Sequence, residues 1–297
     1  QYVMQIMFSL VMLSVMFIMV PRAQAAAVRI NEVLDTEPSI LNPSTTKTPT
    51  KKGYVEFKDV TFSYTGAQEP ALKHVSFQAA PGEMTAIIGS TGSGKSALIQ
   101  LIPRFYDVNK GNVLVDGVDV REMTQDTLRK KIGFVPQKAI LFSGSISDNI
   151  RFGNEKATQE EIIHACKIAQ ADSFIQELDG TYDYVISQGG TNVSGGQKQR
   201  LSIARALARK TEIYIFDDSF SALDFKTDAM LRAALREETK ESTVIIVAQR
   251  VGTVMDADRI IVLDEGEIAG IGTHQELLKN CEVYQQIVSS QLSAEEM

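Results

Sequence analysis

The sequence predicts an α/β domain preceded by one long apolar helix, and three observations support this prediction. The first twenty residues contain no charged side chain, which is typical of a helix in lipid or in a deep protein core. From residue 84 to residue 102, a short apolar run, a glycine-rich loop and a helical segment follow one another. A length of 297 residues exceeds one average domain and suggests about two folded units.

The composition excludes several classes of protein. Hydrophobic residues at 44% and charged residues at 23% are close to globular averages, so wholesale disorder and fibrous repeats do not fit. A net charge of −7 argues against a broad basic face, and no nucleic-acid partner is expected. The two cysteines, Cys166 and Cys281, are far apart and have no His or Cys at ligand spacing. Neither a disulfide framework nor a zinc site is therefore expected, and most of the chain should lie in a reducing, cytosolic compartment.

The N-terminal apolar stretch, residues 1–20, is long enough to cross a membrane as a helix. Twenty residues rise about 30 Å, which is the thickness of the hydrocarbon layer. A secretory signal peptide is one alternative, because residues 23–25 read Ala-Gln-Ala, but no basic segment precedes the apolar run. A buried helix of a soluble protein is another. We expect a transmembrane helix, and a chain that starts with Gln at this stretch suggests the C-terminal part of a longer protein.

The helix is expected to continue beyond Pro21, because a proline can kink a membrane helix without ending it. Up to Asp35 it would measure about 50 Å, which exceeds the bilayer thickness. Arg22 and Arg29 favour the cytoplasm on that side. Residues 41–53 include two prolines and five hydroxyl side chains and predict an exposed linker. The predicted organisation is thus a helix with its cytoplasmic extension (1–40), a linker (41–53) and a folded domain (54–297).

The glycine-rich loop has the residue types that bind phosphate. Glycines let backbone N–H groups converge on phosphate oxygens, and the start of the following helix adds a positive dipole. Lys95 would reach the β- and γ-phosphates, and the Ser96 hydroxyl would bind Mg²⁺. A flexible glycine turn is the alternative, and the flanking strand and helix argue against it. The predicted ATP-binding residues of this loop are Gly89, Thr91, Gly92, Ser93, Gly94, Lys95, Ser96 and Ala97.

A phosphate-binding loop of this kind needs a second acidic anchor for the metal, normally at the end of a buried strand. The apolar run 213–216 ends in Asp217 and Asp218. Asp217 would hold Mg²⁺ directly or through water. Asp218, one residue later, is placed where a carboxylate could approach the attacking water.

A second glycine motif identifies the family that the chain resembles. Ser194, Gly195, Gly196 and Gln197 open a helical run from residue 198 to residue 209, and they resemble the signature motif of ATP-binding cassette (ABC) proteins. A serine and two glycines at a helix start form an anion site, yet the chain's own loop already encloses its phosphates. The resemblance implies a second cassette, placed head to tail, so that each ATP lies between one phosphate loop and the opposite signature.

The resemblance extends from about Val55 to Leu292 and implies the cassette fold. That fold has a mixed β core in a RecA-like subdomain, an antiparallel β subdomain and an α-helical signature subdomain. Tyr64, on the alternating strand segment 60–64, matches the aromatic residue that stacks on adenine. Gln137 matches the loop glutamine that contacts Mg²⁺ and senses the membrane domain, and Asp224 ends a segment similar to the loop that crosses the dimer interface. The resemblance thus implies Mg²⁺ ligands at Ser96, Gln137 and Asp217.

Further segments follow the order of the exporter-type cassettes. Residues 141–150 resemble the segment that receives coupling helices, and residues 259–272 predict a hairpin turning at Asp264-Glu265-Gly266. Thr273 with Glu276 predicts a capping box for the last helices. The N-terminal apolar helix resembles the last transmembrane helix of an exporter half-transporter, which implies an upstream transmembrane domain in the natural protein.

Two catalytic positions depart from the family pattern. Asp218 stands where hydrolytically competent cassettes have Glu, which withdraws the carboxylate by about 1.5 Å, and a misplacement of about 1 Å can cost a hundredfold in rate. Gln249 stands where the family has a histidine near the γ-phosphate, and an amide cannot carry its positive charge. Each change alone could be a tolerated variant. Both together, with Lys95, Ser96 and Asp217 intact, predict that ATP binding is kept and hydrolysis at this site is impaired.

The sequence is therefore interpreted as the ATP-binding subunit of an ABC exporter. It would work with a second half-transporter as a heterodimer and hydrolyse ATP as a dimer. A self-sufficient homodimer, a soluble ABC ATPase without transport and a regulatory module without turnover are the alternatives. The expected location is a membrane, by default a bacterial inner membrane, with the ATP-binding domain in the cytoplasm. Nothing in the sequence identifies the transported substrate.

Overall fold

The computed structural model describes residues 1–291. It divides into a first unit, residues 1–41, and a second that begins at residue 42. The end of the family resemblance at Leu292 and the predicted domain end at 297 lie outside the described residues.

The first unit is a single long helix, α1 (Tyr2–Leu34), which continues through Pro21 as predicted. Its most apolar part has a mean hydropathy of 2.4, and by length and composition it is the one helix within residues 1–291 that could cross a membrane. The hydroxyls of Ser9 and Ser14 donate to backbone carbonyls one turn earlier at 2.9 and 3.0 Å. These polar side chains are therefore satisfied within the helix and do not require water.

The second unit is built on two main sheets and a two-stranded ribbon. A four-stranded antiparallel sheet has the order β2-β1-β4-β5, and a six-stranded sheet has the order β12-β11-β3-β10-β9-β6. In the six-stranded sheet all strands are parallel to their neighbours except the edge strand β12. The strands are β1 (Val55–Phe62), β2 (Leu72–Ala79), β3 (Met84–Gly89), β4 (Lys110–Val115), β5 (Val118–Asp119), β6 (Ile132–Val135), β7 (Gly144–Ser145), β8 (Val185–Ile186), β9 (Ile213–Asp217), β10 (Thr243–Val247), β11 (Arg259–Asp264) and β12 (Glu267–Gly272).

Within residues 1–291, ten further α-helices surround these sheets. Four of them begin with a reciprocal capping box, at Ser145, Thr158, Ser194 and Thr273, and the last was predicted. Each box satisfies two backbone N–H groups that a helix start otherwise leaves free. The helices are α2 (Lys95–Leu101), α3 (Gln125–Lys130), α4 (Ile146–Arg151), α5 (Gln159–Ile168), α6 (Asp172–Gln176), α7 (Gly195–Leu207), α8 (Phe225–Glu238), α9 (Val251–Val254), α10 (His274–Asn280) and α11 (Glu282–Gln291).

The core follows from strand composition. Strands β9 and β10 are buried at every residue, as expected for central parallel strands covered on both faces. One apolar cluster joins the antiparallel sheet to one face of the six-stranded sheet and includes Phe57 and Leu98. A second cluster joins the opposite face to the helical region and includes Phe216 and Leu201. The predicted fold class is confirmed, with both a parallel core and an antiparallel sheet.

Residues 41–53, predicted as an exposed linker, contain no helix or strand and are mostly exposed. From Asn42 onward the segment nevertheless contacts the sheets and helices of the folded domain. The Asn42 side-chain oxygen accepts from the Gln125 N–H at 2.8 Å, and Lys47 pairs with Glu122 at 2.7 Å. The segment is therefore attached to the folded domain along its length.

Candidate functional site

Four neighbouring parallel strands bring the predicted site residues together. The phosphate loop follows β3, and Gln249, Asp217 and Gln137 lie at or just beyond the ends of β10, β9 and β6. Carboxyl ends of parallel strands meet at one edge of a sheet, where open α/β sheets bind ligands. A cavity of about 320 Å³ lies there. It is lined by Tyr64, Ala71, Thr91, Gly92, Gly94, Lys95, Ser96, Ala97, Gln137, Asp217, Asp218, Val247 and Gln249.

The glycines of the loop allow its shape. Gly92 and Gly94 have φ of 86° and 98°, in the left-handed region that glycine adopts most readily. A Cβ on Gly94 would lie 2.6 Å from the Ala71 carbonyl oxygen, whereas a Cβ on Gly92 would meet nothing within 4 Å. Gly94 is thus fixed by close packing and Gly92 faces open space. A polyphosphate fits a loop with backbone N–H groups, an open side and a helix start.

Two predicted residues of the loop do not line the cavity. A Cβ on Gly89 would lie 2.1 Å from the Leu263 carbonyl oxygen of β11, so Gly89 is required for the close approach of the loop to that strand. Ser93 is 2% exposed, and its hydroxyl has no hydrogen-bond partner within residues 1–291. Both residues therefore belong to the packed side of the loop and do not line the cavity.

Lys95 extends along the loop. Its Nζ donates to the carbonyl oxygens of Gly89 and Ser90 at 2.8 and 2.7 Å. Burial lowers the pKa of Lys95, and the nearby carboxylates of Asp218 and Asp217 act in the opposite direction. The ammonium is therefore held at the cavity by neutral carbonyls, which a phosphate oxygen can replace with a stronger, charge-assisted bond.

Ser96 and Asp217, two of the predicted Mg²⁺ ligands, are hydrogen-bonded to each other. The Ser96 Oγ donates to the Asp217 Oδ1 at 3.2 Å, and burial raises the pKa of Asp217. Oxygen donors of this kind suit Mg²⁺, which typically uses one or two protein ligands together with phosphate oxygens and water. A bound Mg²⁺ would neutralise charge on the phosphates. Ser96 and Asp217 would hold it, with Gln137 at the same cavity.

Asp218 lies at the centre of a hydrogen-bonded group. Its Oδ2 accepts from Gln137 Nε2 at 3.1 Å and from Gln249 Nε2 at 2.8 Å. Its backbone has φ of 44°, a left-handed conformation that Asp tolerates better than most residues. Burial raises the pKa of Asp218, and the Gln137 hydrogen bond opposes this shift. The two atypical positions, Asp218 and Gln249, are thus in direct contact.

Tyr64 lines the cavity, but the predicted strand around it is wrong at its end. Strand β1 stops at Phe62, so Tyr64 lies in the turn that follows. Its ring makes edge-on contacts with Phe62 and Tyr106, with centroids 4.9 and 5.2 Å apart. Edge-on contacts suit aromatic rings and fix the orientation of Tyr64 at the cavity.

The signature residues lie outside this cavity. None of Ser194, Gly195, Gly196 and Gln197 lines it, and neither does Asp224. Ser194 Oγ accepts from the Gln197 N–H at 3.2 Å, and Gln197 Oε1 accepts from the Ser194 N–H at 2.8 Å. Asp224 caps α8 by accepting from the Thr227 N–H at 3.0 Å. Both motifs are capped helix starts that do not line the cavity at the chain's own phosphate loop.

Several residues of the site escaped the sequence analysis. Ala71 and Val247 line the cavity, but both have apolar side chains without a chemical group that would indicate a binding role. Tyr106 could have been found, because aromatic residues are few and Phe105-Tyr106 is a rare adjacent pair. Gln291 donates to the Gln249 carbonyl oxygen and accepts from the Val251 N–H. Its distance in sequence, 42 residues from Gln249, hides this contact from any local pattern.

Comparisons with known proteins agree with this geometry. The family model described as ABC transporter matches residues 72–221. An uncharacterised ABC transporter ATP-binding protein of Mycobacterium tuberculosis is 47% identical over 295 residues, which cover 98% of this chain and 50% of the relative. An ATP-dependent lipid A-core flippase of Haemophilus influenzae is 41% identical over 273 residues, 92% of this chain and 46% of that protein. The chain therefore spans about half the length of the curated relatives it matches.

A solved structure has the same fold. The structure of a bacterial Atm1-family ABC exporter with ATP bound superposes with a TM-score of 0.87 and 34% sequence identity. It covers 92% of this chain, and the match spans 48% of that exporter. The family model and these relatives agree with the arrangement of phosphate loop, acidic strand end and signature helix. The chain therefore belongs to the ABC transporter family.

Proposed function

We propose that this chain is the ATP-binding subunit of an ABC exporter and that its own ATP site is hydrolytically impaired. In this proposal ATP with Mg²⁺ binds at the phosphate loop, the ring of Tyr64 stacks on adenine and the chain works with a partner cassette. The relatives named for flippase and exporter activity support the transport class. The long apolar helix α1 supports a location in a membrane, with the cassette on the cytoplasmic side.

The contact between Asp218 and Gln249 carries the impaired-site proposal. A general base must come within hydrogen-bond reach of the attacking water, and the Asp218 carboxylate is shorter by one methylene than the glutamate of competent cassettes. Its Oδ2 already accepts two amide N–H groups. The raised pKa of Asp218 would make a stronger base, but basicity does not restore reach. Gln249 has a neutral amide at the position where the family has a histidine, whose ring can be protonated.

The signature helix supports the need for a partner. Ser194 and its two following glycines form a capped helix start that does not line the chain's own cavity. Such a start attracts anions through free N–H groups and the helix dipole. In the proposed head-to-tail pair, this motif completes the partner's ATP site, and the partner's signature completes this one. The partner's site would supply the turnover.

Single-turnover ATP hydrolysis by the full chain in detergent tests this proposal. We expect ATP to bind the isolated chain with negligible turnover, and hydrolysis to become fast when a competent partner half-transporter from the same membrane is added. Fast hydrolysis by the chain alone would make Asp218 and Gln249 competent variants and would favour the self-sufficient homodimer. Absence of ATP binding would contradict the proposal altogether.

A further inference from the structure

The last described residue of α11, Gln291, makes a two-point contact with the loop that carries Gln249. Its Nε2 donates to the Gln249 carbonyl oxygen at 2.8 Å, and its Oε1 accepts from the Val251 N–H at 2.8 Å. One amide thus bridges the backbone on both sides of Arg250. The two bonds have the normal length of strong N–H···O bonds.

The loop needs this contact because it lies between two short elements. Strand β10 ends at Val247, and α9 has four residues with no side-chain cap from its N-cap residue, Arg250. The first N–H groups of a helix lack intrahelical partners. Gln291 supplies the missing acceptor for Val251 from outside the local sequence.

Helix α11 is a fixed support for this side chain. Tyr284 and Val288 are each 0% exposed, and the Tyr284 hydroxyl lies 2.7 Å from His274 Nδ1. These contacts attach α11 to α10 and to the apolar core. Gln291 itself is exposed, so its role follows from its two backbone contacts and not from burial.

The opposite end of the contact reaches the ATP site. The Gln249 side chain donates through Nε2 to Asp218 Oδ2 at 2.8 Å, while its carbonyl oxygen is held by Gln291. The backbone torsions of Gln249 determine where its amide points. A chain of contacts therefore runs from the C-terminal helix through Gln291 and Gln249 to Asp218.

We propose that Gln291 is a positioning residue that holds the 249–251 loop so that the side chain at position 249 reaches the γ-phosphate side of the ATP site. This inference rests on the proposed function, since it concerns the same ATP site. Gln291 does not line the cavity, so it acts through the loop alone. The contact assigns the C-terminal helix a part in setting the catalytic geometry of the cassette.

Two variants and a matched control test the proposal in the full chain. Gln291→Ala removes both hydrogen bonds, and Gln291→Glu keeps an acceptor for Val251 but places a carboxylate oxygen against the Gln249 carbonyl. Gln286→Ala is the control, because Gln286 is exposed on the same helix and, among the described residues, its side chain hydrogen-bonds only to Glu282, at 3.5 Å. The measurements are amide hydrogen exchange at residues 249–251, ATP affinity and single-turnover hydrolysis followed over hours.

We expect Gln291→Ala to speed exchange at Val251 by about tenfold or more, as the loss of two hydrogen bonds predicts. Because hydrolysis at this site is expected to be negligible in the unsubstituted chain, its rate is compared in the Asp218→Glu, Gln249→His background with the partner present. There Gln291→Ala should lower single-turnover hydrolysis by about tenfold through misplacement of position 249, while ATP affinity stays unchanged. Gln291→Glu should lower hydrolysis likewise but speed exchange at Val251 less, because it keeps the acceptor for the Val251 N–H. Gln286→Ala should change none of the three quantities.

Unchanged exchange at Val251, or faster exchange with an unchanged rate of hydrolysis, would overturn the proposal. Equal effects from Gln286→Ala would overturn it too, because they would indicate general destabilisation of α11. Failure of the proposed function is a separate result, visible as absence of ATP binding by the unsubstituted chain. The exchange measurement would then still decide whether Gln291 holds the loop.

Discussion

At the scale of single residues, the candidate ATP site combines the proposed binding residues with two atypical residues at the proposed catalytic positions. The first group consists of the phosphate loop, Lys95, and the Ser96–Asp217 pair at 3.2 Å. The second group consists of Asp218 and Gln249, joined by a 2.8 Å hydrogen bond. Both groups of residues lie at one cavity. Substitutions in the first group are tested by ATP binding, and substitutions in the second by ATP hydrolysis.

Lys95→Ala should weaken ATP binding by tenfold or more, because it removes a charge-assisted hydrogen bond to phosphate. Binding of a fluorescent ATP analogue to the full chain measures this. Lys130→Ala is the control, since Lys130 is exposed and pairs with Asp126 away from the cavity. An unchanged affinity in Lys95→Ala would refute the assignment of the phosphate loop.

The double variant Asp218→Glu with Gln249→His should raise hydrolysis at this site, on the order of a hundredfold, because the longer side chain restores about 1.5 Å of reach. A site-resolved single-turnover assay with the partner present measures this. A small loss of stability should accompany it, since residue 218 has φ of 44° and Glu tolerates this region less well than Asp. Asp218→Asn serves as the control, and no gain in the double variant would mean that other residues disable the site.

At the scale of elements, two features can be tested: the capped helix starts, and one ion cluster at the amino ends of β6 and β9, at the opposite edge of the sheet from the site. The capping boxes of α5 and α7 have the same chemistry, but only the second belongs to the signature motif. The cluster of Lys131, Asp116 and Glu212 connects the antiparallel sheet, through Asp116 at the end of β4, to the start of β9. For each feature, one variant and a matched control measure its contribution to stability, and the helix-start pair also measures an effect on hydrolysis.

Ser194→Ala and Thr158→Ala should each cost about 1 kcal/mol of stability, because each removes an N-cap oxygen. Only Ser194→Ala should slow hydrolysis at the partner's ATP site, since the signature is proposed to complete that site. Thermal unfolding and the turnover of the mixed pair measure the two effects. Equal turnover in both variants would leave Ser194 with a purely structural role and contradict the head-to-tail pairing.

Lys131→Met should destabilise the cassette by about 3–5 kcal/mol, because it leaves the buried Asp116 carboxylate without its cation. Lys131 Nζ lies 2.8 Å from both Asp116 and Glu212, and the Asp116 side chain is 0% exposed. Burial disfavours charge on Lys131, but the hydrogen bonds to the two carboxylates outweigh it and raise the Lys131 pKa. Thermal unfolding in detergent checks the loss.

The neighbouring residue provides the control for this prediction. Lys130 is 69% exposed and pairs with Asp126, which is 73% exposed. Exposed pairs contribute little, so Lys130→Met should change stability by less than about 0.5 kcal/mol. Similar losses of stability for the two variants would show that the buried cluster stabilises the cassette no more than an exposed ion pair does.

At the scale of the whole molecule, an exposed apolar helix is combined with a cassette that has its own core. Every residue of α1 is exposed, and so much apolar surface is not stable in water. The full chain should therefore remain in the membrane fraction after alkaline carbonate extraction. A fragment beginning at residue 42 should be released into solution and still bind ATP. Extraction of the full chain by carbonate would contradict the transmembrane interpretation of α1.

The sequence by itself determined the local chemistry and the fold class. The order of strand, glycine loop and helix, the acidic strand end and the signature spacing are all local patterns, so they could be read without coordinates. The capping box at Thr273 and the hairpin of β11 and β12 were predicted for the same reason. The end of β1 was missed, because Tyr64 continues the alternating pattern although the chain turns after Phe62.

Only the tertiary structure decided which distant residues meet. The contacts of Asp218 with Gln137 and Gln249 join positions 81 and 31 residues apart, and the Gln291 contact spans 42 residues. The buried pair of Lys131 and Asp116 likewise depends on how two sheets pack. Periodicity and spacing describe neighbours along the chain, whereas these contacts follow from strand order and sheet packing. The sequence thus determined which chemistry is present, and the fold determined which groups act on one another.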